Sequence, residues 1–238
     1  MKTTLELLES SSPNDNSKGF HKLRKKQFIR NPELKIILQN KNRQLVGDFL
    51  LNYKYFTSNN ISAIHQFILQ NLSNTDKLFV SDLIDFAIDY QLPIPVRQCY
   101  SLLECFGNDN DYPQISFLDY LLVNRPAVDC KKLERLLNNI IDNKRYSIYA
   151  QLRASILLYE LNQKKRYVFN VIAYTQIDDA CKILLDNILS SIQETKIHRA
   201  YGSVLNQISK DKLTLIYPIS KCGLCPKQSS LILNSYAD

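Results

Sequence analysis

Apolar residues recur every three or four positions along most of the chain, which is the spacing of the buried face of an α-helix. The first long segment begins at Asn31-Pro32-Glu33, where an N-cap asparagine, an early proline and a first-turn acid indicate a helix start. Its apolar positions continue to Phe56 with a gap at Lys41, so they predict one long helix. Similar spacing predicts nine further helices, at about residues 61–72, 77–90, 95–106, 113–123, 126–142, 147–161, 167–176, 177–195 and 198–209. Short loops between them predict stacked antiparallel helices and an all-α fold.

The two ends of the chain depart from this helical pattern. Residues 9–19 are rich in serine and asparagine and include a proline and a glycine, which is typical of a linker or a disordered stretch. Cations follow, so we predict a flexible basic N-terminal arm over residues 1–30 and a helical-repeat domain over residues 31–212. Residues 213–238 are predicted to form a C-terminal cap or tail, in which two short apolar runs favour either strands or an extended cap.

Composition narrows the fold class and the environment. Apolar residues make up 45% of the chain, which is enough for a core, and there are only five glycines. Few glycines mean few tight turns, which disfavours an all-β or a doubly wound α/β fold. No run of about 20 apolar residues predicts a membrane span, and Glu6 and Glu9 interrupt any signal-peptide core. The six cysteines are too sparse for a disulfide scaffold, so we predict a reducing, cytoplasmic environment.

The segment around residues 78–165 carries a repeat-like pattern. Val96-Arg97 opens a helix that continues through Leu102-Leu103, and after Gly107 a second apolar helix follows from Pro113. This arrangement resembles a HEAT repeat, and a second match lies around Arg153. The two matches are farther apart than the family period of about 40 residues. The resemblance therefore implies an irregular HEAT-like α-solenoid of stacked antiparallel helices, and another kind of helical bundle is the alternative.

The same resemblance implies specific ion pairs. In HEAT repeats an aspartate at the end of the first helix pairs with the arginine that opens the second. Here Asp89 precedes Arg97, and Asp142 precedes Arg153. The family match thus implies two pairs, Asp89 with Arg97 and Asp142 with Arg153.

Positive charge is concentrated in two parts of the chain. Residues 18–43 contain nine lysines and arginines against a single acid, Glu33. This block is open to four interpretations: a solvated or internally docked segment, or contact with nucleic acid, an acidic protein or an anionic membrane surface. The candidate contact residues in the block are Lys22, Arg24, Lys25, Lys26 and Arg30.

The second basic part lies between residues 144 and 166. Its candidate contact residues are Lys144, Arg145, Lys164, Lys165 and Arg166. The tyrosines among them and nearby are Tyr146, Tyr149, Tyr159, Tyr167 and Tyr174. Aromatic rings between cations suit base stacking with phosphate contact, which favours nucleic acid. The alternative is that these rings are buried at helix boundaries.

Motifs for catalysis or cofactor binding are not found in the sequence. The glycines are too widely spaced for a phosphate-binding loop, and the three histidines have no metal-binding spacing. His65 lies on an apolar helix and is predicted to be structural. Cys222 and Cys225 form a Cys-x-x-Cys pair, which in principle supplies half of a zinc site or a redox pair. Only Cys181 and His198 could complete the zinc site, at a nonstandard spacing, so we predict no metal and no cofactor.

These observations favour a protein that is not an enzyme. The leading hypothesis is a protein-binding scaffold, adaptor or inhibitor, a class that includes immunity-type proteins, with a helical-repeat surface for its partner. The alternative is a nucleic-acid-binding helical-repeat protein that uses the basic arm and the basic C-terminal third. An enzyme ranks third. The chain resembles HEAT-like base-excision glycosylases in size and basicity but lacks any tryptophan for their tryptophan-lined pocket.

Overall fold

The computed structural model describes residues 2–57, 60–104, 112–124, 128–191, 215–217 and 231–233. Its fold is all-α, as predicted, and its contacts divide the chain into two compact units, Met1–Ile94 and Pro95–Asp238. The predicted boundaries at residues 30 and 212 stay predictions. Described helices of the first unit are α1 Thr4–Glu9, α2 Pro13–Lys26, α3 Asn31–Gln39, α4 Arg43–Leu51, a short 3-10 helix Tyr53–Tyr55, α5 Ile61–Asn71 and α6 Lys77–Asp89. Those of the second unit are α7 Val96–Glu104, α8 Tyr112–Asn124, α9 Cys130–Asp142, α10 Ile148–Asn162, α11 Lys165–Ile177 and α12 Asp179–Ser191.

The N-terminal region is folded, so the predicted flexible arm is wrong. Helix α1 begins with a capping box, in which the Thr3 hydroxyl accepts from the Glu6 amide and the Glu6 carboxylate accepts from the Thr3 amide. This pairing satisfies two amide groups that a helix start otherwise leaves without partners. Helix α1 packs on α2 and α3. Helix α1 contributes Leu7 and Leu8 to the core, and α2 contributes Phe20 and Leu23. Phe20, Leu23 and Ile29, which lie among the cations, are therefore core positions, whereas Phe28 is exposed.

A buried asparagine fastens α1 to the rest of the first unit. Asn16 is 1% exposed, and its amide nitrogen lies 2.8–3.1 Å from three carbonyl oxygens at the end of α1. The Asn40 amide donates to the Leu8 carbonyl at 2.7 Å, and the Asn42 amide donates to the Asn16 side-chain oxygen at 3.2 Å. The last carbonyls of a helix have no partner within it. These asparagines supply the missing donors from two other segments.

The same asparagines divide the predicted long helix into two. Helix α3 ends at Asn40, whose backbone is extended, and α4 begins after Asn42, whose side-chain oxygen accepts from the Leu45 amide. Asparagine hydrogen-bonds readily to nearby backbone groups, which competes with helix continuation. One helix from Asn31 to Phe56 is therefore wrong, and the gap at Lys41 marks the break. The N-cap of α3 is Arg30, one residue earlier than predicted.

Aromatic rings hold the core of the first unit together. Phe49 and Tyr53 meet edge to face with ring centroids 5.7 Å apart, and Phe86 and Tyr90 stack at 4.4 Å. Tyr53 contacts both rings of that stack at 5.4 Å. Such ring pairs contribute about 0.5–1.5 kcal/mol each beyond their buried area. The cluster joins the end of α4 and the 3-10 helix to α6.

Helix α10 is the centre of the second unit. It packs against α8, α9 and α11, and α11 packs against α12. All residues from Ala150 to Leu158 are buried, including Gln151, Arg153 and Ser155. A helix that is buried on every side is surrounded by other elements. This arrangement of stacked helices is compatible with the predicted solenoid.

Arg153 forms an ion pair different from the one that the HEAT resemblance implies. Its guanidinium makes two hydrogen bonds to the Asp119 carboxylate on α8, at 2.5 and 2.9 Å. Asp142, the implied partner, is exposed at the end of α9. The pairing of Asp142 with Arg153 is therefore wrong. The other implied pair, Asp89 with Arg97, stays a prediction.

A short antiparallel pair of strands follows later in the chain. Strand β1, Leu215–Tyr217, pairs with strand β2, Leu231–Leu233, with Leu215 opposite Leu233 and Tyr217 opposite Leu231. These are the two apolar runs for which the sequence left open strands or an extended cap.

Candidate anion-binding groove

The local sequence of α2 places its charges in agreement with the helix dipole. Pro13 occupies the first turn with Asp15, and Arg24, Lys25 and Lys26 occupy the last turn. Acids at the start and cations at the end of a helix are each favourable by about 0.3–1 kcal/mol. The helix ends at Gln27, which adopts the left-handed conformation. Part of the basic cluster therefore has a structural role in the helix itself.

One face of α2 lines an open groove of about 710 Å³. Lys18, His21, Lys22 and Lys25 follow the i, i+3, i+4, i+7 spacing that places side chains on one side of a helix. Lys2, which lies in the segment before α1, also lines the groove. The remaining lining residues are Leu7, Asp15 and Ser17. The groove thus brings four lysines and a histidine together against one carboxylate.

That carboxylate is already engaged. Lys2 Nζ lies 2.7 Å from Asp15 Oδ2, and the Ser10 hydroxyl donates to the same oxygen at 3.1 Å. These hydrogen bonds, first that from Lys2, hold the pKa of Asp15 below its ordinary value. Lys22 Nζ donates to the backbone carbonyl of Lys2 at 3.1 Å. Lys18 and Lys25 are exposed and make no ion pair with any residue that the structure describes.

The structure divides the predicted cluster into two groups. Lys22 and Lys25 line the groove, whereas Arg24, Lys26 and Arg30 do not. Arg24 and Lys26 are exposed on other sides of α2. Arg30 forms a salt bridge of 2.7 Å with the buried Glu33 at the start of α3. Only part of the basic block therefore belongs to one candidate site.

The second predicted basic part is not brought together. Lys144 and Arg145 precede α10, whereas Lys164, Lys165 and Arg166 follow it. A helix of 15 residues is about 22 Å long, so the two groups lie at opposite ends of α10. Lys164 Nζ lies 3.4 Å from the Glu134 carboxylate, and Arg166 donates to Asn138 and lies over the Tyr167 ring. These cations form two separate surfaces.

The tyrosines of this part are mostly unavailable for stacking. Tyr146, Tyr167 and Tyr174 are buried in the core of the second unit. The Tyr149 hydroxyl donates to Asp178 at 3.2 Å, and Tyr159 is half-buried. The hypothesis that these rings alternate with cations on one nucleic-acid surface is therefore wrong for the three buried tyrosines. Buried rings at helix boundaries, the alternative, describe those three.

The other candidate residues are potential metal ligands, cysteines and one histidine. No cluster of three potential metal ligands occurs among the described residues. Cys222, Cys225 and His198 lie outside them, so the prediction of no zinc there is untested. Cys181 is buried, and burial raises the pKa of its thiol to about 11. His65 forms a hydrogen bond with the Pro93 carbonyl at 2.8 Å, which fits its predicted structural role.

None of the described helices has the length and apolarity needed to cross a membrane.

Six of the eight residues that line the groove were not among the candidate contact residues predicted from the sequence: Lys2, Leu7, Asp15, Ser17, Lys18 and His21. Lys2 reaches the groove only because α1 folds back on α2, which is a nonlocal contact. Asp15 lies in the stretch predicted as a linker. The spacing of Lys18, Lys22 and Lys25 was visible in the sequence and could have predicted their shared face.

Comparisons with known proteins provide no relative from which to carry over a function. No family model matches the chain, and no curated protein or solved structure is significantly similar to it.

Proposed function

We propose that this protein is a non-catalytic binding module that holds an acidic segment of a partner protein in the α2 groove. The observation that carries the proposal is the convergence of four basic side chains of α2, Lys18, His21, Lys22 and Lys25, on one open groove. Lysines without carboxylate partners attract anions over several ångströms and raise association rates. Their long methylene stems also offer apolar contact to a peptide backbone.

Two features favour an acidic protein segment over nucleic acid. The described lining of the groove includes no phenylalanine, tyrosine or tryptophan ring, whereas single-stranded nucleic acid is held largely by stacking on such rings. The groove is open and has a volume of about 710 Å³. Such a site suits a few residues of extended chain. Duplex DNA is read instead by elements that project into its grooves.

The stacking in the second unit supports the more specific architecture. Helices α8, α9 and α11 each pack against α10, and the Arg153–Asp119 pair joins α10 to α8. We therefore include an irregular HEAT-like α-solenoid in the proposal. In such proteins the repeats provide extended surfaces for partners.

The experiment compares two double variants of equal charge change. Lys22→Ser with Lys25→Ser removes groove cations, and Arg24→Ser with Lys26→Ser removes neighbours outside the groove. Binding of a labelled hexaglutamate peptide is measured by fluorescence anisotropy at low and moderate salt. We expect the groove variant to weaken binding about five- to thirtyfold, equivalent to about 1–2 kcal/mol. The control variant should change it less than about twofold, because its cations contribute only at long range.

Three outcomes would contradict the proposal. Equal weakening by both variants would mean general electrostatic attraction without a groove. No binding of the peptide by the unaltered protein would remove the acidic-segment hypothesis. Tighter binding of a single-stranded oligonucleotide, with the same dependence on Lys22 and Lys25, would favour the nucleic-acid alternative. Thermal unfolding of each variant checks that the fold is retained.

A further inference from the structure

We infer that Asp15 is a built-in competitor in the groove, whose carboxylate occupies one anion position and holds Lys2 until a ligand anion displaces it. This inference rests on the proposed function, because it concerns how the same groove is regulated. It makes the ion pair of Lys2 and Asp15 an autoinhibitory contact.

The position of Asp15 is that of a bound anion. Its Oδ2 accepts hydrogen bonds from Lys2 Nζ at 2.7 Å and from the Ser10 hydroxyl at 3.1 Å. The positive charge of Lys18 also favours the ionised carboxylate. Two donors and a nearby cation are what an incoming carboxylate or phosphate group requires. Asp15 is also the only acid among the described lining residues. The chain therefore fills part of its own anion site.

The contact can open without unfolding the N-terminal segment. Lys22 Nζ holds the backbone carbonyl of Lys2, and the Thr3–Glu6 capping box fixes the start of α1. Neither interaction involves the Lys2 ammonium group. The Lys2 side chain is 59% exposed, so it can exchange partners through water. Exposed ion pairs of this kind add little to stability.

Competition predicts that Lys2 and Asp15 act together in binding. In the unaltered protein Lys2 is engaged by Asp15, so removing Lys2 costs the ligand little. Once Asp15 is neutral, Lys2 becomes available and contributes directly. Two groups that share one interaction give non-additive effects in a double-mutant cycle, whereas independent charges give additive ones.

The test is a cycle of Lys2→Ser and Asp15→Asn in the full chain, with the hexaglutamate peptide as probe at fixed salt. We expect Lys2→Ser alone to change Kd less than about twofold and Asp15→Asn alone to lower it about three- to tenfold. In the Asp15→Asn background, Lys2→Ser should remove most of that gain. Additive effects, or a loss from Lys2→Ser alone as large as that from Lys22→Ser, would overturn the inference.

A matched control separates local competition from net charge. Glu9 is exposed near the end of α1 and does not line the groove, so Glu9→Gln changes the net charge as Asp15→Asn does. We expect Glu9→Gln to change Kd less than about twofold. A gain equal to that of Asp15→Asn would overturn the inference. If no variant binds the peptide, the proposed function fails. Binding with an additive cycle would defeat only the inference.

Discussion

Arg153 and Asp119 join two helices of the second unit through an ion pair with two hydrogen bonds. The arginine side chain is 7% exposed and the aspartate 29%, so the pair lies at the edge of the core. Arg153 also donates to the Tyr149 carbonyl at 3.2 Å. Burial raises the pKa of Asp119 above its ordinary value, and the guanidinium acts in the opposite direction. The guanidinium therefore offsets only part of the cost of burying the Asp119 carboxylate.

Removing the guanidinium should destabilise the second unit. We expect Arg153→Met to lower the free energy of unfolding by about 2–4 kcal/mol at neutral pH, because it leaves a mostly buried carboxylate without its partner. The double change of Arg153→Met with Asp119→Leu should recover much of this loss, since no unpaired charge remains. Urea unfolding of the single and double variants measures both values. A double variant as unstable as Arg153→Met would mean that packing, not charge, is responsible.

The sequence predicted the helices well because the core positions repeat locally. The spacing of apolar residues located α5, α6, α9 and α10 within a few residues of their observed bounds. Arg153 was identified as a pairing residue, yet its partner was wrong because Asp119 lies on a different helix. Partner choice is decided by tertiary packing, which local spacing does not encode.

In the N-terminal region a polar composition accompanies a folded segment. Residues 9–19 contain few apolar side chains, and this favoured disorder. Asn16 instead enters the core as a hydrogen-bond donor for the end of α1. An asparagine that caps another helix and an exposed linker asparagine look alike in sequence. The groove depended on this fold, and so Lys2 and Asp15 could not be assigned to it beforehand.

Asn16 should be sensitive to both truncation and charge. We expect Asn16→Ala to cost about 1–3 kcal/mol, because three carbonyl oxygens lose a buried donor. Asn16→Asp should cost more, since an acceptor carboxylate would face those oxygens. Asn14→Ala, on the exposed side of the same helix, should change stability by less than about 0.5 kcal/mol. Chemical unfolding provides all three values. A neutral Asn16→Asp would contradict the described donor role.

Asp82 should make the first unit less stable as pH rises. Burial, and then the charges of Asp76 and Asp48, raise the pKa of Asp82 above its ordinary value. A group with a raised folded-state pKa contributes stability below its unfolded pKa, and that contribution is lost as pH rises through the folded value. Asp82→Asn should therefore be stabilising at pH 7, and its advantage should shrink toward about pH 4.

Melting temperatures of the unaltered protein and Asp82→Asn across this pH range measure the effect. Glu9→Gln is the control, because Glu9 is exposed in the same unit, belongs to no proposed ion pair and loses an equal charge. An advantage of Asp82→Asn that does not depend on pH would contradict the titration of this carboxyl.

Gly47 and Asp82 should be energetically coupled. A Cβ atom at Gly47 would lie 2.9 Å from Asp82 Oδ2, closer than such atoms normally approach. Alanine in a helix interior is favoured over glycine by about 0.5–1 kcal/mol, but here it would push the aspartate from its place between α4 and α6. Because only the end of the Asp82 side chain has to move, we expect Gly47→Ala to cost no more than about 1 kcal/mol. In an Asp82→Ala background the obstructing oxygen is gone, so the same change should become neutral or stabilising. A double-mutant cycle measured by urea unfolding gives the coupling. If Gly47→Ala costs the same in both backgrounds, the close approach of α4 to α6 is limited by something other than the Asp82 side chain.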